Sequence, residues 1–305
     1  MTRAQWADVR RILSAYVRRG DPAIAARDVL LACPDVAIAQ AAIGEARERS
    51  RSATTRAALG RLSRLMRAHA AGCERIARML RAEVDHDRPL PSVDEGIAFC
   101  RKLFDWSVRQ NPESSVALCS LGSPRLLARV THEIVAAFAQ WGVLGRDRDT
   151  LEIGCGIGRM QVALSGRVRS AHGIDLSAGM VRAARKRCAH LGNVHIQTTS
   201  GRDLARYADR SLDLVYAVDS FPYLVQSGMA LVETHLREAA RVLRPGGDLV
   251  ILNFSYRSDA AKDRRIVRAL AKRHGFAVVR CGDKPFAHWD GEAFHLRKAA
   301  RPLND

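Results

Sequence analysis

The stretch TLEIGCGIGRM, residues 150–160, decides the fold. A short apolar run leads into Gly154, Gly156 and Gly158, with the carboxylate Glu152 two residues ahead of the first glycine. This reads as a strand, a glycine turn and a helix over 158–164. The same alternation continues downstream. SAHGID (170–175), NVHIQT (193–198), SLDLVYAV (211–218), DLVILNF (248–254), GFAVVRC (275–281) and GEAFHLRK (291–298) read as strands. Helical patterns fill 177–191, 229–243 and 259–274, the second ended by RPGG. Strands alternating with helices predict an α/β fold: a doubly wound, seven-stranded, mostly parallel sheet.

Upstream of residue 146 the pattern is helical. Trp6, Val9, Leu13 and Tyr16 recur at helical spacing, and the GDP at 20–22 breaks that run. A second helix over 23–32 stops at Cys33-Pro34. Leu62, Met66, His69, Cys73, Ile76 and Leu80 step by 4, 3, 4, 3, 4, which predicts one helix of about 35 residues with His69 packed on its apolar seam. DHDRPLPS at 85–92 reads as a linker. A helix over 93–110, a break at NPESS and a helix from Pro124 to Trp141, capped by Ser123, complete this part. The expected division is a helical domain over 1–90 (a cap or a dimer surface), a helical lid or lead-in over 91–146, and a Rossmann-like domain over 147–299. The small-residue segment 114–124 is the expected lid loop.

The net charge of +17 invites a polyanionic partner. The excess is spread: residues 1–90 carry 17 basic and 10 acidic groups, 91–146 carry 6 and 5, and 147–305 carry 26 and 17. Ten arginines against two glutamates lie within 47–81, the segment best placed to grip phosphates. Aromatics are only 6%, and no basic–aromatic interleaving marks an RNA module. Seven cysteines without a CxxC pair point to reduced thiols in a cytoplasm and to no metal site. No run of about 18 apolar residues suggests a membrane span, and the opening residues lack a signal peptide's apolar block.

The spacing of the glycine loop narrows its ligand. A dinucleotide loop reads GxGxxG and a phosphate loop GxxxxGK[ST]; here the spacing is GxGxG and no lysine follows. Glu152 at the strand end repels a pyrophosphate and suits a cation such as S-adenosylmethionine, which carries an ammonium and a sulfonium. Asp175, 21 residues after Gly154, is placed to accept two ribose hydroxyls, a role shared with dinucleotide folds.

With these residues in view, the chain resembles the class I S-adenosylmethionine-dependent methyltransferases. LEIGCGIGRM matches their first motif and HGIDLSAGMV the segment after the second strand. SGRDLARYADRSLDLVYAV matches the third and fourth strand region, and RVLRPGGDLVILNF the fifth strand with its lead-in; together they span about 145–298. The resemblance implies that Gly154, Gly156 and Gly158 let the backbone pass close to the methionine moiety. It further implies that Glu152 holds the loop or the ammonium, that Asp175 binds the ribose, and that Leu176 and Met180 flank the adenine. Asp203, with the backbone around Arg202, would reach the adenine edge. Met180 fits equally as a core residue, and Asp203 as a turn residue.

The acceptor is expected past the fourth strand, in VYAVDSFPYLV (215–225). Relatives often carry a histidine where Tyr223 stands and an apolar residue where Asp219 stands, so this chain departs from both. Asp219 and Tyr223 are the catalytic candidates. Asp219 fits as an ammonium ligand, a base or a loop cap; Tyr223 fits as a pocket wall or hydrogen-bond donor. His132 (with Glu133), Asn253, Phe254 and Tyr256, and His288 with Trp289, are further candidates around the acceptor. The leading expectation is methyl transfer to a small molecule by in-line displacement. The rivals are an RNA or protein methyltransferase using 47–81, and an enzyme that uses the same cofactor for cyclisation or elimination. A homodimer through the N-terminal helices is the expected assembly, with no membrane partner.

Overall fold

A computed structural model describes residues 2–33, 35–80, 90–257 and 259–300. Most of the expected linker at 85–92 lies outside the described residues. The chain divides into two compact units: residues 1–84, 107–133 and 286–290 form the first, and 85–106, 134–285 and 291–305 the second.

The first unit is helical: α1 (Arg3–Arg19), α2 (Pro22–Ala32), α3 (Val36–Arg49), α4 (Ala53–Ala68) and α5 (Ala70–Leu80), followed by the end of α6 (Val93–Gln110) and the start of α7 (Pro124–Gln140). Caps set the starts. Asp21 accepts from the Ala23 and Ile24 amides ahead of Pro22, Asp35 from Ile38 and Ser52 from Thr55. Val9, Leu13, Val29, Ile43, Leu62, Met66, Cys73 and Ile76 form the core. The single long helix expected over 47–81 is instead the end of α3, then α4 and α5. Ser52 starts a new helix, and His69 breaks the run with φ −117° and ψ 32°. The seam is real at Leu62, Met66, Cys73 and Ile76, all fully buried. His69 is only half-buried at the break, a cap instead of the packed histidine expected. The segment 114–124 is also packed: Ser114, Ser120 and Leu121 are buried, and a Cβ on Gly72 would lie 1.8 Å from the Leu121 carbonyl oxygen.

The second unit is built on β1 (Asp149–Ile153), β2 (Ser170–Asp175), β3 (Val194–Thr198), β4 (Leu212–Val218), β5 (Leu243–Leu252), β6 (Phe276–Asp283) and β7 (Ala293–Lys298). Among the described residues these form one sheet in the order β3-β2-β1-β4-β5-β7-β6. Strands β1 to β5 pair in parallel, and β7 lies antiparallel between β5 and β6. The central strands are mostly apolar, as strands covered on both faces tend to be. The linking helices are α8 (Arg159–Leu164), α9 (Ala178–Cys188), α10 (Phe221–Ser227), α11 (Met229–Val242) and α12 (Ala260–Arg273). Leu151, Ile153, Val215, Ala217, Leu249 and Ile251 pack with Leu231, Leu236 and Val267 of α11 and α12. On the opposite face Phe138 of α7 meets Tyr216 edge-on, with ring centroids 5.4 Å apart. Strand order reverses between β1 and β4, so the ligand crevice of such a sheet opens at their carboxyl ends.

Candidate functional site

The glycine loop sits at that reversal. Gly154, Gly156 and Gly158 all have positive φ, at 75°, 52° and 75°. A side chain there is strained. At Gly154 it also has no room, because a Cβ would lie 2.4 Å from the Ser220 Cβ. Ser220, just past β4, donates from its hydroxyl to the Ile153 carbonyl oxygen at 2.5 Å. The β1 loop and the β4 exit are thus held together by a side chain-to-backbone bond.

Asp175 ends β2 beneath the loop. One carboxylate oxygen accepts the Gly156 amide at 2.9 Å, and the other accepts the Ser177 amide at 2.9 Å. A carboxylate has about four acceptor positions, so capacity remains for a hydroxyl donor of a ligand. Burial pushes the Asp175 carboxyl up to about 6, against the pull of those two amides.

Glu152 lies lower and is buried. Its carboxylate accepts from the Gln161 side-chain amide at 2.7 Å, and that amide also reaches the Tyr216 hydroxyl at 3.2 Å. Burial pushes Glu152 up to about 7, while Gln161 and Arg159 favour its charged form. In this arrangement Glu152 braces β1 against the first turn of α8, which fits the loop-holding alternative over a direct ligand contact.

Of the two residues expected to flank an adenine, Met180 is buried and Leu176 half-buried. Gly201, at φ 80°, abuts Leu176; a Cβ there would lie 2.6 Å from Leu176 Cδ2. Asp203 is exposed and accepts the Ala205 amide at 3.1 Å, the turn role left open above. Arg202 is exposed and pairs with Asp94.

The acceptor candidates gather at one place. Asp219 and Asn253 directly follow the neighbouring strands β4 and β5, both with left-handed backbone, φ 59° and 64°. The Asn253 amide donates to Asp219 Oδ1 at 2.6 Å, and the Tyr256 hydroxyl donates to the same oxygen at 2.9 Å. The Tyr223 and Tyr256 rings meet edge-on at 6.0 Å. Burial and the Asp219 charge raise the Tyr223 hydroxyl well above its ordinary value, so it stays protonated. Phe254 is buried in the core beside Phe221 and Phe294, away from this cluster.

His132 lies outside the cluster, exposed on α7 in the first unit. Glu133, His288 and Trp289 also belong to that unit. Glu133 accepts the Ala287 and His288 amides, the His288 ring pairs with Asp21 at 2.8 Å, and Trp289 is buried against Phe286.

Sequence reading missed one wall of the site, the first part of α6. Gly96 lets α6 press on Ser227 of α10, and Ile97 lies beside Gly201. Phe104 packs edge-on against Tyr223 at 4.8 Å. Asp105 accepts the Ser177 hydroxyl at 2.6 Å and the Gly179 amide at 2.9 Å. These residues share one helical face, a local signal, but only the tertiary fold says what that face covers.

The glycine turn and the buried carboxylate at the end of β2 fit a nucleoside-bearing cofactor in the crevice. Comparison with known proteins agrees. Residues 151–251 match the methyltransferase domain family. A demethylmenaquinone methyltransferase of Tropheryma whipplei is 32% identical over 108 residues, 35% of this chain and 42% of the relative. The chain thus spans less than half the length of that curated relative. A Haemonchus contortus phosphoethanolamine N-methyltransferase, solved with phosphoethanolamine and S-adenosylhomocysteine, superposes with TM-score 0.52 at 16% identity, covering 70% of this chain and 51% of that one. The [4+2]-cyclase SpnF superposes with TM-score 0.50 at 18% identity, covering 70% and 98%. The seven-stranded sheet, the loop and the family match together identify residues 151–251 as a methyltransferase domain on a class I, Rossmann-like fold.

Proposed function

We propose that this chain transfers a methyl group to a small-molecule acceptor seated past the carboxyl ends of β4 and β5. The observation that carries this is the Asp219–Asn253 pair. Asp219 and Asn253, both with left-handed backbone, hydrogen-bond each other where the carboxyl ends of β4 and β5 meet, the edge at which sheets of this kind bind their ligands. Beside them, Ser220 touches the loop at Gly154.

S-adenosylmethionine, when bound, supplies a methyl group already activated by its sulfonium. The protein's task is then to align the acceptor in line and keep water out. Gly154, Gly156 and Gly158 cradle the methionine end, with Glu152 bracing the loop through Gln161. Asp175 takes the ribose hydroxyls, Leu176 and Met180 line the adenine, and Asp203 with the Arg202 backbone borders its edge. Asp219, Tyr223, Asn253 and Tyr256 form the acceptor side. Relatives named for demethylmenaquinone and phosphoethanolamine support a small acceptor. His132 and the helical unit are left to substrate entry or to pairing of two copies.

A second reading is favoured by one comparison: a neighbour with this fold is a cyclase. Product analysis separates the two. Incubation with S-adenosylmethionine and an acceptor mixture should release S-adenosylhomocysteine stoichiometrically with methylated product. Methylthioadenosine, or acceptor conversion without cofactor consumption, would overturn methyl transfer.

A further inference from the structure

We propose that the acceptor is an amine, recognised at its nitrogen by the Asp219 carboxylate and the rings of Phe104, Tyr223 and Tyr256; this rests on the methyl-transfer reading above. The three rings form a continuous edge-to-face row, Phe104 to Tyr223 at 4.8 Å and 78°, Tyr223 to Tyr256 at 6.0 Å and 88°. The carboxylate stands at the Tyr256 end of the row, its Oδ1 fixed by the Tyr256 hydroxyl and the Asn253 amide. A fixed carboxylate beside aromatic rings is a cation-binding composition.

The chemistry selects nitrogen over oxygen. The bound ammonium first releases a proton to water; the neutral nitrogen then spends its lone pair on the bond to the methyl carbon, and the carbon–sulfur bond breaks with its pair left on sulfur. Positive charge therefore grows on the atom beside Asp219, which stabilises it more in the transition state than before. A hydroxyl acceptor would have to approach as an anion, which the carboxylate repels, or hand its proton to Asp219, a base far too weak to ionise an alcohol. Asp219 need not take the proton, because a carboxylate is a far weaker base than an amine.

The test uses the full chain saturated with S-adenosylhomocysteine and two probes of similar shape, tetramethylammonium and the neutral tert-butanol. NMR of tyrosine ring signals should show saturable millimolar binding of the cation, and none of the alcohol. Asp219→Asn should weaken that binding roughly 10-fold or more. Asparagine tolerates the left-handed backbone, so this variant keeps the fold, and unchanged S-adenosylhomocysteine affinity checks it. Turnover with an amine and its matching alcohol should favour the amine by at least about 100-fold. Equal binding of the two probes, or none by the cation, would overturn the amine assignment while leaving methyl transfer intact. Failure to bind S-adenosylhomocysteine at all would instead overturn the methyl-transfer reading.

Discussion

The Asn253 side-chain amide donates to Asp219 at 2.6 Å, joining two left-handed residues that directly follow adjacent strands. Asn253 also accepts the Glu292 amide at 2.8 Å, so one side chain ties β4, β5 and the entry to β7. Asn253→Gly keeps the backbone and deletes these bonds. It should lower kcat/KM by about 10-fold or more with a small change in Tm. Asn253→Ala adds left-handed strain of roughly 1–2 kcal/mol, readable as a further drop in Tm.

Gly154→Ala meets both a positive φ and the Ser220 Cβ at 2.4 Å. The expected cost is about 2–4 kcal/mol of stability, with cofactor binding lost. Gly154→Ala with Ser220→Gly removes the clash but not the strain, and calorimetry should show stability partly restored.

Cofactor affinity should depend on pH through Asp175. Its carboxyl is pushed up to about 6, and the ionised form is the one that accepts ribose hydroxyls. Binding should be level above pH 7 and weaken as pH falls through 6, by up to about 10-fold per unit. For folding the sign is opposite. The raised pKa means that the folded state holds the proton more tightly, so this group's contribution to stability falls as pH rises from about 4 to 6. Titration calorimetry and thermal melts over pH 5–8 separate the two trends.

Asp248 is buried in mid-sheet and accepts from His295 at 2.8 Å, Arg297 at 2.8 Å and Arg148 at 3.2 Å. These donors outweigh burial and hold its carboxyl below the ordinary carboxylate range. Its stabilising effect is present above the unfolded-state pKa and lost as pH falls from there through the lower folded-state pKa. Asp248→Ala leaves three donors facing a cavity and should cost about 3–5 kcal/mol in denaturant melts, without a specific effect on cofactor affinity.

The glycine loop, Asp175 and the strand ends were legible because each is a local pattern: glycines at fixed spacing after an apolar run, and a carboxylate closing the next one. Asp219, Tyr223, Asn253 and Tyr256 were legible because strand ends in such sheets converge on one edge. Asp105 and Phe104 were not, since their partners Ser177 and Tyr223 lie 72 and 119 residues away. The seam from Leu62 to Leu80 misled for a related reason: its period is kept across the break at His69, so periodicity alone joined two helices.

Asp105→Ala tests that hidden wall. It removes two hydrogen bonds from the start of α9 and should weaken cofactor binding several-fold and lower stability by about 1–3 kcal/mol. Hydrogen exchange should quicken over 177–180 and 93–106.

The most direct test of the central claim is calorimetric titration of the protein and of Asp175→Ala with S-adenosylmethionine and S-adenosylhomocysteine. The account predicts micromolar binding of both by the intact chain and loss of both in a folded variant. Binding that survives Asp175→Ala, or no binding by the intact chain, would contradict it.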